Sequence, residues 1–275
     1  NFSSFDRDIE DFHQPHVELH HEYDLNDRAR FQQTLFWVKG EGFFDFGGTF
    51  RSADYLRLPA GTAPDGLNSA PLFISRPDVT LLFRAYLDQW QVGWMPRLTL
   101  TDENSTTSLG LEARLHRSLR WGRIQAATGI PSEFVGSQND VRVYSFQGEK
   151  IITSAYGSHL KRLSERWAVQ GDVQVTYHRY RISDEDFFGT SFSKPYLFIN
   201  PRIGVTFQPE QRFSAFASVA LASREPRMKT LYDGEEAGGG FLPSFERNSD
   251  DSYDFDNPLV DPERLVDLEL GASLR

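Results

Sequence analysis

The segment Trp-Ala-Val-Gln-Gly-Asp-Val-Gln-Val-Thr-Tyr-His-Arg-Tyr-Arg, residues 167–181, decides how the rest of the chain is interpreted. From Trp167 to Tyr177 every second residue is apolar or glycine, and the residues between them are mostly polar. Because side chains on a strand alternate between faces, one face is apolar and carries an aromatic ring at each end. About ten residues at roughly 3.3 Å each, tilted by about 45°, cross roughly 25 Å of hydrocarbon, and amphipathic rings favour its two interfaces. The segment is typical of a strand in a transmembrane β-barrel, although a solvated antiparallel strand has the same alternation.

The composition narrows the class of protein. No run of about 18 apolar residues occurs, and the mean hydropathy is −0.48, so a membrane-spanning helix is excluded. A transmembrane β-barrel is compatible with this low mean hydropathy, because half of the side chains of each strand face a polar lumen. The 23 Phe against 2 Met suit a lipid-facing surface, and the lack of Cys fits an exported protein without disulfides. The net charge of −10 argues against a nucleic-acid partner.

Similar alternation recurs along the chain and predicts about nine strands. They lie near residues 15–23, 28–39, 79–100, 106–116, 151–160, 167–181, 196–207, 213–221 and 265–274. Pro96 falls inside one of them and predicts a local bend or bulge.

The connectors between these strands alternate strictly between short and long. Tight turns are predicted around Asp24, Asp102, Leu163 and Pro209, and long connectors over residues 40–77, 117–150, 183–195 and 224–262. Up-and-down outer-membrane barrels have short periplasmic turns and long extracellular loops, whereas a β-sandwich has no reason to sort its loops. We therefore predict an all-β fold: an antiparallel up-and-down transmembrane β-barrel, present in part as about nine strands of a larger barrel. The odd positions of 167–177 and 197–207 should face lipid, and loop 224–262 should lie outside the cell.

Several segments resemble the barrel of TonB-dependent outer-membrane receptors, including the branch common in Bacteroidetes-like bacteria. The most telling is the strand that ends in Ser223-Arg224-Glu225-Pro226, which is similar to a late-barrel signature of that family. The other segments are residues 17–23, 33–42, 162–169, 200–205, 257–265 and 267–271.

The resemblance implies a receptor in the bacterial outer membrane that takes up a scarce ligand, without enzymatic activity or a cofactor. The ligand would be a ferric siderophore, a metal complex, a vitamin or an oligosaccharide. The partners would be the lipid bilayer, that small ligand and the inner-membrane TonB complex, which acts on a plug domain. The family's barrel has 22 strands and an N-terminal plug. We therefore expect residues 1–275 to be a portion of the barrel domain, with the plug domain and the C-terminal strands absent. A passive porin-like channel and a soluble all-β ligand-binding module stay open as alternatives.

No catalytic constellation is visible, because the sequence has neither a nucleophile elbow nor a glycine-rich phosphate loop. The candidate ligand contacts are His16, His20, Arg202, Arg224, Phe241, Phe245 and Tyr253.

Each group of candidates has a purely structural alternative. The histidines share a strand face with Glu18 and Glu22, about 6.6 Å apart, which is too far for easy chelation of one ion. We therefore predict no metal site there, and the histidines could simply line a polar lumen. The arginines could form ion pairs around Glu225, and the loop aromatics could pack on neighbouring loops rather than on a ligand.

Overall fold

The computed structural model describes residues 9–47, 55–58, 80–137, 141–237 and 240–274. The strands in these residues are β1 (Glu10–His13), β2 (His16–Asn26), β3 (Ala29–Gly47), β4 (Thr80–Asp102), β5 (Ser105–Thr128), β6 (Tyr144–Arg162), β7 (Trp167–Ser183), β8 (Phe192–Glu210), β9 (Phe213–Arg224), β10 (Phe245–Arg247), β11 (Tyr253–Pro258) and β12 (Glu263–Leu274). One short helix, α1 (Met228–Leu231), and a 3-10 turn, Ser132–Phe134, complete the secondary structure of these residues. No helix in the described part of the chain is long and apolar enough to cross a membrane.

Ten strands form one antiparallel sheet in which neighbours in sequence are neighbours in space. The order is β1, β3, β4, β5, β6, β7, β8, β9, β12, and β2 also pairs with β3. β1 and β2 lie along the same edge of β3, because β1 pairs with residues 41–44 and β2 with residues 29–38. Pro15 separates them and has no N–H to donate to the ladder. The sheet therefore has nine strand positions, which confirms the predicted up-and-down arrangement and strand number.

The strands extend further than the sequence predicts. β3 continues to Gly47, β5 to Thr128, and β6 begins at Tyr144. Residues 40–47 of the first predicted connector and more than half of connector 117–150 are therefore strand. In these extensions aromatic residues occupy adjacent positions, such as Phe43 and Phe44, and the two-residue alternation is lost. Pro59 and Pro64, predicted to lie in the first long loop, are outside the described residues.

The proline in β4 interrupts the ladder without shifting it. β4 and β5 pair at Trp94–Ala113 and again at Arg97–Gly110, in the same register, while no pairing is formed at Met95 and Pro96. The predicted weakening at Pro96 is confirmed, but the register shows no bulge there.

One face of the sheet, here called the outer face, carries the apolar side chains. Val173, Val175 and Tyr177 of β7 are exposed on it, beside Ile199 and Leu197 of β8. Residues paired across neighbouring strands share a face, and this face continues over every strand position. Its exposed apolar residues include Val17, Leu19, Leu35, Trp37, Val92, Trp94, Leu109, Trp167, Ile203, Val219, Val266, Leu268 and Leu270.

The opposite, inner face is polar near the tight turns and buried at the other end of the strands. Phe83, Ile124, Tyr144, Phe146 and Ile182 form a core there with residues of the long loops. The loop residues of this core are Tyr55, Leu56, Leu58, Leu231, Tyr232, Ala237 and Phe245.

Candidate functional site

The chain turns inward at Glu225, directly after β9. Glu225 is 4% exposed although it begins the loop that the sequence predicts to be solvated. Its Oε1 accepts hydrogen bonds from Lys150 Nζ at 2.6 Å and from the Tyr180 hydroxyl at 3.1 Å. Its Oε2 lies 2.7 Å from Nδ1 of His178. One buried carboxylate thereby ties the loop to the inner face of β6 and β7.

The alternation of these strands explains the positions of its partners. Lys150 pairs with Tyr180 across β6 and β7, and His178 is two residues away on the same face. Nε2 of His178 contacts the hydroxyl of Thr176 at 2.9 Å, which orients the ring. Tyr196 of β8 pairs with His178, and its ring stacks on Phe198. The result is a row of polar rings and charges at the edge of the buried core.

The protonation state of Glu225 follows from these contacts. Burial alone raises the pKa of this carboxyl, because the charged form loses solvation. The close contact with Nδ1 of His178, the hydrogen bond from Lys150 and the positive charge of Lys150 outweigh burial and lower the pKa to about 2. Glu225 is therefore ionised at physiological pH.

The loop that follows stays on the inner face. A Cβ on Gly148 of β6 would lie 3.0 Å from Cε of Met228 in α1, so the glycine makes room for the helix. Arg120 of β5 donates to Glu235 at 2.7 Å. The Ser244 N–H donates to the carbonyl of Leu231, which closes the loop on itself. Residues 225–237 thus cover the inner ends of β5–β7.

A polar cavity of about 560 Å³ lies on the same face, nearer the tight turns. Charged groups of both signs line it, including Arg97 and Glu112, together with amides and hydroxyls. The lining includes His20, Glu22, Gln32, Thr34, Met95, Ser154, Tyr156 and Gln174. Such a surface can bind a polar ligand through several directional hydrogen bonds.

The structure places one of the two candidate histidines in this cavity. Nδ1 of His20 lies 3.0 Å from the Thr34 hydroxyl, and Nε2 lies 3.0 Å from Glu18. His16, on the same face of β2, is exposed but does not line the cavity. In the described residues no group of three or more His, Asp or Glu side chains is arranged to hold a metal ion.

The candidate arginines do not line the cavity, and neither forms an ion pair with the carboxylate of Glu225. Arg202 lies 3.8 Å from Glu269, and Arg224 donates twice to Glu263, at 2.8 and 2.9 Å. Both carboxylates belong to β12, so Arg224 ties β9 to its neighbour β12, while Arg202 reaches from β8 past β9 to β12. The ion pairs considered from the sequence exist, but their partner is β12 rather than Glu225.

The three loop aromatics differ in burial. Phe245 is 2% exposed and packs against Phe192 and Phe255, with ring centroids 5.0 and 5.1 Å away. The Tyr253 hydroxyl accepts a hydrogen bond from Arg247. Phe241 is 53% exposed. Packing against neighbouring elements accounts for Phe245 and Tyr253, whereas Phe241 is available at the surface. Gly238 and Gly239 are outside the described residues.

Sequence reasoning missed Lys150, His178 and Tyr180 as members of one site. Their polar character was visible, and so was the strand that ends at Glu225. The signal that could have joined them is a carboxylate directly before a proline, where the chain leaves the sheet and must bury or solvate its charge.

The comparisons with known proteins identify the family. Residues 1–275 match the family described as TonB dependent receptor-like, beta-barrel. The chain belongs to this family, and it forms part of a β-barrel of the bacterial outer membrane. Nothing in the comparisons supports the passive-channel alternative. The comparison with curated protein sequences gives no match.

Solved structures with a similar fold include three transport proteins. The copper transporter OprC superposes with a TM-score of 0.64 at 12% identity, over 96% of this chain and 36% of OprC. The unliganded ferric citrate transporter FecA superposes with a TM-score of 0.61 at 11% identity, over 95% of this chain and 32% of FecA. The closed form of the ferric-catecholate import receptor Fiu from E. coli K12 superposes with a TM-score of 0.58 at 12% identity, over 100% of this chain and 40% of Fiu. The chain therefore spans between 32 and 40% of the length of these structures.

Proposed function

We propose that residues 1–275 are part of the barrel domain of a receptor that takes up a scarce ligand across the outer membrane. The observation that carries this proposal is the mixed-charge cavity on the inner face of a barrel of this family. Transport would be driven by the inner-membrane TonB complex, acting on a plug domain outside this chain.

The ligand class is a polar complex of small size: a ferric siderophore, another metal complex, a vitamin or an oligosaccharide. The cavity supports a polar ligand because its lining includes Arg97, Glu112 and His20, which offer charged groups and hydrogen bonds. OprC is named as a copper transporter, and FecA as a transporter of ferric citrate. Within the proposed range, these names favour metal complexes as the first ligands to test.

His20→Ala in the full-length receptor tests the role of the cavity. We expect uptake of the ligand at subsaturating concentration to fall about fivefold, because one hydrogen bond of roughly 1 kcal/mol is lost. The probes are radiolabelled ferric citrate, copper(II), cobalamin and maltohexaose, each supplied to cells with and without TonB. One of them should accumulate only when TonB is present.

His159→Ala is the matched control. Nδ1 of His159 lies 2.8 Å from the hydroxyl of Thr107, a contact like that of His20 with Thr34 at 3.0 Å, but on the outer face. The His159→Ala receptor should take up the probe as fast as the unaltered receptor does. Equal losses in both variants would contradict the role of the cavity, and accumulation of every probe without TonB would contradict active uptake.

A further inference from the structure

The outer face changes character where its apolar surface ends. Trp37, Val92, Leu115 and Ile151 are paired across β3–β6 and form its last row before the long loops. The next row on the same face contains Lys39, Trp90, Arg117, Glu149 and Arg181. Charge therefore begins at the edge of the apolar surface: on β7, Arg179 pairs with Ile151 of the last apolar row, and the row above it is mostly charged. This is the height where a membrane-embedded sheet meets lipid headgroups.

Arginine dominates this height on β5–β7. The arginine surface consists of Arg117, Arg123, Arg179 and Arg181 on these strands, together with Arg142 just before β6. On the described outer-face positions of these strands, from residue 117 to 123, 145 to 149 and 179 to 183, the single carboxylate is Glu149. The chain as a whole has a net charge of −10, so this local excess of positive charge opposes the overall balance.

Glu149 neutralises only part of this charge. It accepts from Arg117 Nε at 2.7 Å and from Arg179 at 3.1 Å, so two cations share one anion. Arg123 and Arg181 have no carboxylate partner among the residues that the structure describes. Arg123 instead donates to the hydroxyl of Tyr86 and to Gln125.

Aromatic rings hold the guanidinium groups in place. Arg142 lies 4.7 Å from the ring centre of Trp121, and Arg117 lies 5.8 Å from that of Trp90. Trp121 itself stacks on Tyr86, with 3.8 Å between ring centroids. Rings of this type favour the boundary between lipid and water, which independently places the arginines at the headgroup level.

We propose that the arginine surface binds the phosphate-bearing headgroup of an anionic lipid in the outer leaflet. Guanidinium groups present several donors in a planar fork that matches phosphate oxygens. Arg123 and Arg181 supply charge that no carboxylate of the described chain uses, and Arg117 with Arg179 adds one further net charge. The surface faces away from the lumen, so its occupant is a lipid rather than the transported ligand.

The test uses the full-length receptor in nonionic detergent. The probe is lipid A with both phosphates, titrated into the micelles, with dephosphorylated lipid A as the comparison lipid. We expect the phosphorylated lipid to bind more tightly and its affinity to fall as salt rises. Arg123→Gln with Arg181→Gln should weaken binding roughly thirtyfold, because each arginine near the surface contributes about a factor of five.

The matched control carries Arg166→Gln and Arg212→Gln, two exposed arginines at the tight turns. Its affinity should be unchanged. Equal affinity for the two lipids, or equal losses in both double variants, would overturn the proposal. Arg181→Gln alone, at an exposed side chain, should still lose about fivefold. If the double variant does not fold, an unchanged affinity of this single variant would also overturn the proposal.

Discussion

At the scale of single residues, Glu225 shows how one buried carboxylate positions a whole loop. The sequence places Glu225 between an arginine and a proline at the end of a strand, which indicated an ion pair at the rim. It could not indicate the partners, because Lys150 and His178 lie 75 and 47 positions away and reach Glu225 only through the pairing of β6 with β7. Contacts between residues so far apart in sequence depend on the register in which the strands pair. The local alternation of apolar and polar residues does not determine that register.

Glu225 also predicts how the loop responds to acid. Its pKa is about 2 in the folded protein and 4.5 without the contacts. A depressed pKa contributes stability that is fully present above 4.5 and is lost as the pH falls through the folded pKa. The difference corresponds to about 3 kcal/mol. We expect hydrogen exchange at the amides of Leu231 and Tyr232 to stay slow down to pH 4.5 and, after correction for the intrinsic rate, to accelerate between pH 4.5 and 2.

Two variants separate this effect from general acid unfolding. Glu225→Gln should exchange faster at pH 7 and should lose the transition between pH 4.5 and 2. Glu263→Gln removes a carboxylate that also binds an arginine, but one with a 68% exposed side chain, so the transition should persist. An acid transition of the same size in Glu225→Gln would show that another group causes it.

At the scale of elements, β7 is the strand that the sequence describes best. Its alternation holds from Trp167 to Tyr177, and the apolar residues are exposed on one face. Prediction fails at the strand ends near the long loops, where inner-face residues such as Phe146 and Ile182 are buried under loops. Once both faces carry apolar residues, the pattern of a strand is no longer distinct from that of other buried segments.

Two adjacent substitutions test which face of β7 meets lipid. Val173 lies near the middle of the apolar face and pairs with Gly157 and Pro201, while Gln174 lies on the inner face and lines the cavity. Val173→Arg should destabilise the full-length receptor by roughly 2–4 kcal/mol, because a charge near the bilayer midplane is costly. Gln174→Arg should cost less than about 1 kcal/mol, because its charge stays in a polar environment. Refolding titrations into lipid vesicles measure both, and equal losses would indicate a sheet that is buried on two faces.

At the scale of the whole molecule, the order of strands was predictable and the position of the site was not. The alternation of short and long connectors is enough to give antiparallel neighbours, because a tight turn leaves a strand no other partner. The candidate residues, in contrast, were chosen for their chemistry, and the structure distributes them over β2, β8, β9 and the long loop. Only His20 reaches the cavity, since its neighbours there come from β3, β4, β5, β6 and β7.

The two edges of the sheet determine what these nine strand positions can do alone. In the described residues, β12 pairs only with β9, and β1 and β2 pair only with β3. Each edge strand directs about half of its N–H and C=O groups away from the sheet, where lipid offers them no partner. Each unpaired group costs several kcal/mol in hydrocarbon, so either edge outweighs the 5–15 kcal/mol by which proteins are typically stable.

We therefore expect residues 1–275, refolded alone into phosphatidylcholine vesicles, to give no protease-protected monomer. The full-length receptor, refolded in the same way, should be protected over its strands. Two copies could satisfy both edges by pairing β12 of one with β1 and β2 of the other, which would close eighteen strand positions into one ring. Protection of a dimer alone, separated from monomer by cross-linking, would agree with this account of the edges. A protected monomer would contradict it, because a nine-position sheet would then have found partners for its edge groups without the rest of the barrel.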